Sequence, residues 1–216
     1  MAVEVRMAED AKDAILAFRA YQEMHEASDF PGTFSPVKTL TQRWLDRYTP
    51  GAENRGLVIE GPPGRGKSHL LCAVVRELVF RHGVPVRFVE FTHLLSRLRE
   101  GMDKNDGDAT TLTPLVQVPV LAIDELGKGR KTDWELAIID EIVTRRYNSG
   151  GVLLATTNFP HKAPARPRDV PATLAAGGIE SLEDRLGERV FSRMRETVDF
   201  CVAGGMDFRQ RSPLER

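Results

Sequence analysis

Apolar runs at 57–60, 86–91, 119–123, 152–156 and 197–202 set the rhythm of this chain. The first four read as continuously apolar rather than alternating, which predicts strands of a parallel sheet covered on both faces, and 197–202 reads as a further strand added to it. Between them the apolar positions change to a helical period. Leu70, Leu71, Val74, Val75, Leu78 and Val79 place a helix over 67–82, and similar spacing predicts helices over 92–100 and 133–148. Upstream, residues 8–26 carry a weak stripe of Ile15, Phe18 and Tyr21 in an Ala- and Glu-rich background, ended by Asp29-Phe30-Pro31-Gly32. A second helix is expected from Val37 to Tyr48, with Leu40, Trp44 and Tyr48 on one face. Two stretches break the alternation: the polar 101–113 and the 160–180 segment with four prolines. Both read as loop insertions. No internal repeat is visible. The expected organisation is an N-terminal helical extension over 1–35 and an α/β core over 36–216, built as three α-β-α layers.

Composition narrows the class. A chain of 216 residues with 41% hydrophobic and 28% charged content suits one globular domain with a short appendage. The net charge of −1 supplies no global field for nucleic acid, so any such site must be local. Two cysteines, Cys72 and Cys201, lack metal spacing and are too few for a secreted disulfide scaffold. The five histidines are scattered. No apolar run approaches the roughly 18 residues of a transmembrane helix, and no signal-peptide pattern opens the chain. The expected protein is cytoplasmic, with no membrane contact.

The chemistry starts at Gly61-Pro62-Pro63-Gly64-Arg65-Gly66-Lys67-Ser68, a complete G-x-x-x-x-G-K-S loop set between a predicted strand and a predicted helix. That context is what gives the motif meaning. Its glycines let backbone N–H groups face a phosphate, and the helix N-terminus adds positive potential. Lys67 is expected to reach the β- and γ-phosphates of ATP, and Ser68 to ligate Mg²⁺. With the adjoining His69, residues 61–69 form the expected nucleotide-contact set.

Further along, Val120-Leu121-Ala122-Ile123 ends in Asp124-Glu125. The first acid is expected beside Mg²⁺, and Glu125 is placed to polarise an attacking water as general base. The strand at 152–156 leads into Asn158, a polar group suited to sit between that water and the γ-phosphate. Arg185, Arg189 and Arg193 recur every four residues and predict one basic helix face. Such a face is either a solvated stripe or the source of an arginine for a neighbour's γ-phosphate.

Taken together, Gly61–Ser68, the strand ending Asp124-Glu125-Leu126-Gly127, the Ile138–Asn148 run ending Arg145-Arg146-Tyr147-Asn148, Ala155-Thr156-Thr157-Asn158 and Gly187–Met194 resemble an AAA+ ATPase. More narrowly they resemble the DnaC-like helicase loaders and the IstB-like transposition helper ATPases, over about 33–202. The resemblance implies a P-loop NTPase core with a parallel sheet. It implies that Asp124 and Glu125 are the metal and water-activating pair and that Asn158 is the sensor. It also makes Arg193 the arginine finger, with Arg189 as runner-up. By the same resemblance, residues near Thr132 and Trp134 hold single-stranded DNA, with Lys128, Arg130 and Lys131 serving phosphates. Two readings of Trp134 stand: stacking on a base, or packing at a helix start. No full C-terminal helical lid fits after the arginine helix. That implies a site dependent on a protein partner or a homo-oligomer. The leading function is an ATPase that couples nucleotide state to single-stranded DNA and a helicase or similar partner. The alternatives are a regulatory or transposition-helper ATPase that binds a non-helicase protein without DNA, and a small-molecule kinase, against which Glu125 argues.

Overall fold

The computed structural model describes residues 35–103, 112–162, 179–205 and 207. The expected helix at 8–26, most of the 101–113 stretch and most of the 160–180 segment lie outside the described residues. In chain order the elements are α1 (Ser35–Arg47), β1 (Gly56–Glu60), α2 (Lys67–His82), β2 (Val86–Glu90), α3 (Phe91–Asp103), α4 (Thr113–Gln117), β3 (Val120–Asp124), α5 (Asp133–Ser149), β4 (Val152–Thr157), α6 (Leu182–Leu186), α7 (Glu188–Thr197) and β5 (Val198–Val202). The five strands form one sheet in the order β2-β3-β4-β1-β5, and every pairing is parallel.

Side chains of each central strand alternate between two cores, which explains the unbroken apolar runs. Val58, Leu121, Ile123, Leu153 and Ala155 face the cluster built with α3 to α7. Leu57, Ile59, Val120, Ala122, Val152 and Leu154 face the cluster built with α1 and α2. The fold class expected from the sequence, three α-β-α layers around a parallel sheet, is the one observed. All five strands share a direction, so the C-terminal ends of β1, β3 and β4 open on one edge of the sheet. That edge is where α/β folds place ligands.

Four local departures have physical reasons. Strand β2 is the half-buried edge of the sheet, so Arg87 and Glu90 fit in a run read as continuously apolar. On α1, Leu40 is exposed, and the buried stripe is Val37, Thr41, Trp44, Leu45 and Tyr48. Helix α3 runs to Asp103, three residues into the polar stretch, and the short α4 starts at Thr113, with Pro114 in its first turn. Finally, the arginine helix is two helices. Gly187 takes φ 86°, which a side chain would resist, and the chain breaks there between α6 and α7. Arg185 therefore leaves the face shared by Arg189 and Arg193.

Candidate nucleotide site

The glycine loop connects β1 to α2, as its pattern requires. Gly61, Gly64 and Gly66 all hold positive φ. Pro62 and Pro63 are exposed, while Arg65, Ser68 and His69 are half-buried at the helix start. Lys67 is buried, and its ammonium donates to Pro62 O at 2.8 Å, so the charge lies over the loop rather than out in solvent. The segment after β5 covers the loop, a feature that sequence reading missed. Ala203 N–H donates to Glu60 O at 2.7 Å, and Arg65 donates to Gly205 O. A Cβ on Gly64 would collide with the Asp207 carboxylate, so a side chain there is excluded by this tail as well as by its φ.

The acidic strand end meets the loop directly. Ser68 Oγ donates to Asp124 Oδ1 at 2.9 Å, joining residues 56 apart in sequence. Thr156 Oγ1 at the tip of β4 donates to the same oxygen. Glu125 N–H in turn donates to Thr156 Oγ1 at 2.9 Å, so one hydroxyl orders both acids. Glu125 has φ 56°, a left-handed conformation costing a non-glycine residue on the order of 1–3 kcal/mol. That backbone is held by Glu125 N–H and by Lys128 N–H, which donates to Glu125 O at 3.0 Å. The Glu125 carboxylate accepts from Lys128 Nζ, and this bond raises the pKa of the ammonium.

The oxygens at the loop mouth suit a hard divalent cation. Ser68 and Asp124 present two oxygens of the kind Mg²⁺ takes and would hold such an ion together with water and phosphate oxygens. Among the described residues no group of three or more His, Cys, Asp or Glu is arranged to hold a metal. Cys72 faces the same region as an inert thiol. Burial and the nearby Asp124 charge push it up to about 12.

Asn158 follows β4 and is half-buried beside this edge. Its turn is fixed by neighbours: Thr157 Oγ1 donates to Leu126 O at 2.9 Å and accepts from Phe159 N–H at 3.2 Å.

The outer groups sit differently. Arg193 is largely covered, with Nη1 3.5 Å from Asp140 Oδ1, and the more exposed Arg189 has Nε 3.7 Å from the same oxygen. Arg185 donates to Gly127 O at 2.8 Å and to Gly129 O, with its guanidinium 4.9 Å from the Phe159 ring centroid. It is a brace for the loop after β3.

In the basic loop, Lys128 is paired with Glu125 and Lys131 with Glu180 at 3.2 Å, while Arg130 is exposed. Thr132 caps α5, its Oγ1 accepting from Glu135 N–H at 3.3 Å in a reciprocal capping box. Trp134 is half-buried against the core, with the Arg99 guanidinium 4.8 Å from its ring centroid. Packing at a helix start is therefore what this ring does within the chain.

Arg146, in the Arg-Arg-Tyr-Asn run, is fully buried. It donates to the carbonyls of Leu115, Val116, Val118, Pro119 and Val152 at 2.7–3.3 Å, tying α4 and the starts of β3 and β4 to α5. Burial pulls its pKa down to about 10.

Known proteins resemble this chain in sequence and in fold. The family model described as IstB-like ATP binding protein matches residues 30–164. The replicative helicase loader DnaC of Escherichia coli (strain K12) is 31% identical over 140 residues, covering 64% of this chain and 49% of that protein. DnaC of Buchnera aphidicola subsp. Acyrthosiphon pisum (strain APS) is 32% identical over 161 residues, covering 74% and 57%. The chain thus spans about half the length of these relatives. A crystal structure of the DnaC helicase loader superimposes with a TM-score of 0.67 at 28% identity, covering 85% of this chain and 98% of that one. With more than half of its length matched, a P-loop core and an AAA+ arrangement of strands, this chain belongs to the IstB-like ATP-binding protein family.

Proposed function

We propose that this protein binds ATP with Mg²⁺ at residues 61–69 and hydrolyses it, in a site completed by an arginine from a second copy. The observation that carries this reading is the meeting of Ser68, Asp124, Thr156 and Glu125 at one sheet edge. A binding loop alone needs no second carboxylate; a hydrolytic site does. Lys67 would neutralise β- and γ-phosphate oxygens, with Ser68 and Asp124 holding the cation. Bound Mg²⁺ supplies charge neutralisation and orientation of the phosphates. Glu125, turned away from Lys128, would take a proton from water at a carboxylate oxygen as the γ-phosphorus–oxygen bond to ADP breaks. Asn158 would orient that water. Arg193 pairs with Asp140 of α5 within its own chain and would act on a neighbour's γ-phosphate, with Arg189 as the second choice. Its ion pair with Asp140 holds the guanidinium in place until then.

The partner follows the loader pattern: nucleotide state would set the grip on single-stranded DNA and on a helicase or similar protein in the cytoplasm. Arg130 and the Lys128–Trp134 surface support that reading. The second reading, a transposition-helper or regulatory ATPase without DNA, is favoured by one observation. Lys128, Lys131 and the Trp134 ring are engaged within the chain by Glu125, Glu180 and Arg99. Single-stranded DNA binding with a non-hydrolysable ATP analogue at two salt concentrations separates them. Affinity that falls as salt rises fits the loader. No binding at low salt fits the helper.

A further inference from the structure

Glu60, the last residue of β1, is a carboxylate with 3% exposure immediately before the glycine loop. Burying a carboxylate is costly unless its oxygens are partnered. Here both are taken by one residue 101 positions away. Oε2 accepts from the His161 backbone N–H at 2.6 Å, and Oε1 lies 2.7 Å from His161 Nδ1. The carboxylate requires Nδ1 to carry the proton. The imidazole is stacked on Phe200 of β5, centroids 4.8 Å apart and planes 18° from parallel. This clamp lies at the C-terminal end of the Asn158 turn. Other contacts anchor the residues on either side of Asn158. Thr157 bonds Leu126, the Phe159 ring lies under Arg185, and Pro160 O accepts from Leu182 N–H at 2.8 Å. Asn158 is the crest of a turn bolted to the loop strand by Glu60 and to the acidic strand by Thr157.

We propose that Glu60 is a positioning residue for hydrolysis: through His161 it fixes Asn158 relative to the glycine loop. The inference rests on the sensor role proposed for Asn158. The Glu60 carboxylate is spent on His161 rather than on the loop or Asp124, so its loss should act on turnover more than on ATP affinity.

The test compares Glu60→Ala, Glu60→Gln and Asn158→Ala in the full chain. Without nucleotide, Glu60→Ala should raise amide hydrogen exchange at 158–161 by about tenfold or more. With Mg²⁺-ATP it should leave the dissociation constant within about threefold while lowering kcat as far as Asn158→Ala does. The double variant should be no worse than Asn158→Ala alone, the mark of one shared unit. Glu60→Gln should recover much of the rate, because its amide can accept from the His161 N–H and donate to an unprotonated Nδ1. If Glu60→Ala does not fold, His161→Phe keeps the stack on Phe200, removes Nδ1, and should shift exchange and kcat the same way by less. Unchanged exchange at 158–161, or rate losses that multiply in the double variant, would overturn the clamp while leaving the ATP site standing. An Asn158→Ala protein with normal kcat would overturn the sensor role and the inference with it.

Discussion

The two halves of the candidate site are organised in opposite ways. At the sheet edge, Ser68, Asp124, Thr156 and the Glu125 backbone N–H are joined by hydrogen bonds, with the Lys67 ammonium held over the loop on Pro62 O. On the outer surface, the functional candidates are each held by something else in the same chain: Arg193 by Asp140, Lys131 by Glu180, Trp134 by Arg99. The inner half has its loop, its cation-facing oxygens and its acids already ordered within one chain. In the outer half Arg193, Lys131 and the Trp134 ring are engaged within the chain, so a partner would have to compete for them. Lys128 joins the halves, because the carboxylate it holds is Glu125.

Breaking the inner half should have the largest effect. Lys67→Ala removes the charge over the loop, and ATP affinity should fall by about two orders of magnitude or more, read by titration calorimetry. Unchanged affinity would mean that the loop is not the nucleotide site. A second substitution separates scaffold from site. Arg146→Met removes the donor to five carbonyls, two of them in buried bonds, and should cost about 3 kcal/mol or more, seen as a drop in the denaturant midpoint. Retained stability would return the Arg-Arg-Tyr-Asn run to the functional side of the comparison.

The smallest effect concerns pH. Burial alone would raise the Glu90 carboxyl, but bonds from Thr92 Oγ1 and from the His93 and Thr92 N–H groups outweigh it and hold it below its ordinary 4.5. A carboxyl depressed in the folded state stabilises above its unfolded pKa, and that contribution is lost as pH falls through the folded value. Glu90→Gln should therefore flatten the acid loss of stability between roughly pH 5 and pH 3. An unchanged acid profile would show that the Glu90 cap at the start of α3 contributes nothing measurable.

What the sequence disclosed follows the same division. The central strands and long helices were legible because two buried faces leave unbroken apolar runs. The loop and Asp124-Glu125 were legible because their chemistry is local in sequence. The rest depends on contacts between distant residues. Equal spacing of Arg185, Arg189 and Arg193 suggested one face, but Gly187 breaks the helix and turns Arg185 into a brace. Arg146 carries the same charge as its neighbour Arg145, and only the fold buries one of them. Glu60 and His161 look like ordinary polar residues until β1 and the β4 turn meet. Nothing in the sequence announced that the tail near Asp207 would lie across Gly64.

The central claim is that the ordered inner half is completed by an arginine from another copy. It is tested most directly by mixing Arg193→Ala with Glu125→Gln protein and measuring phosphate release. Each alone should be nearly inactive. In the mixture, Arg193 of the Glu125→Gln chains can serve the intact Glu125 of the Arg193→Ala chains, so turnover should rise well above the sum of the two. A mixture no faster than that sum would contradict the composite site.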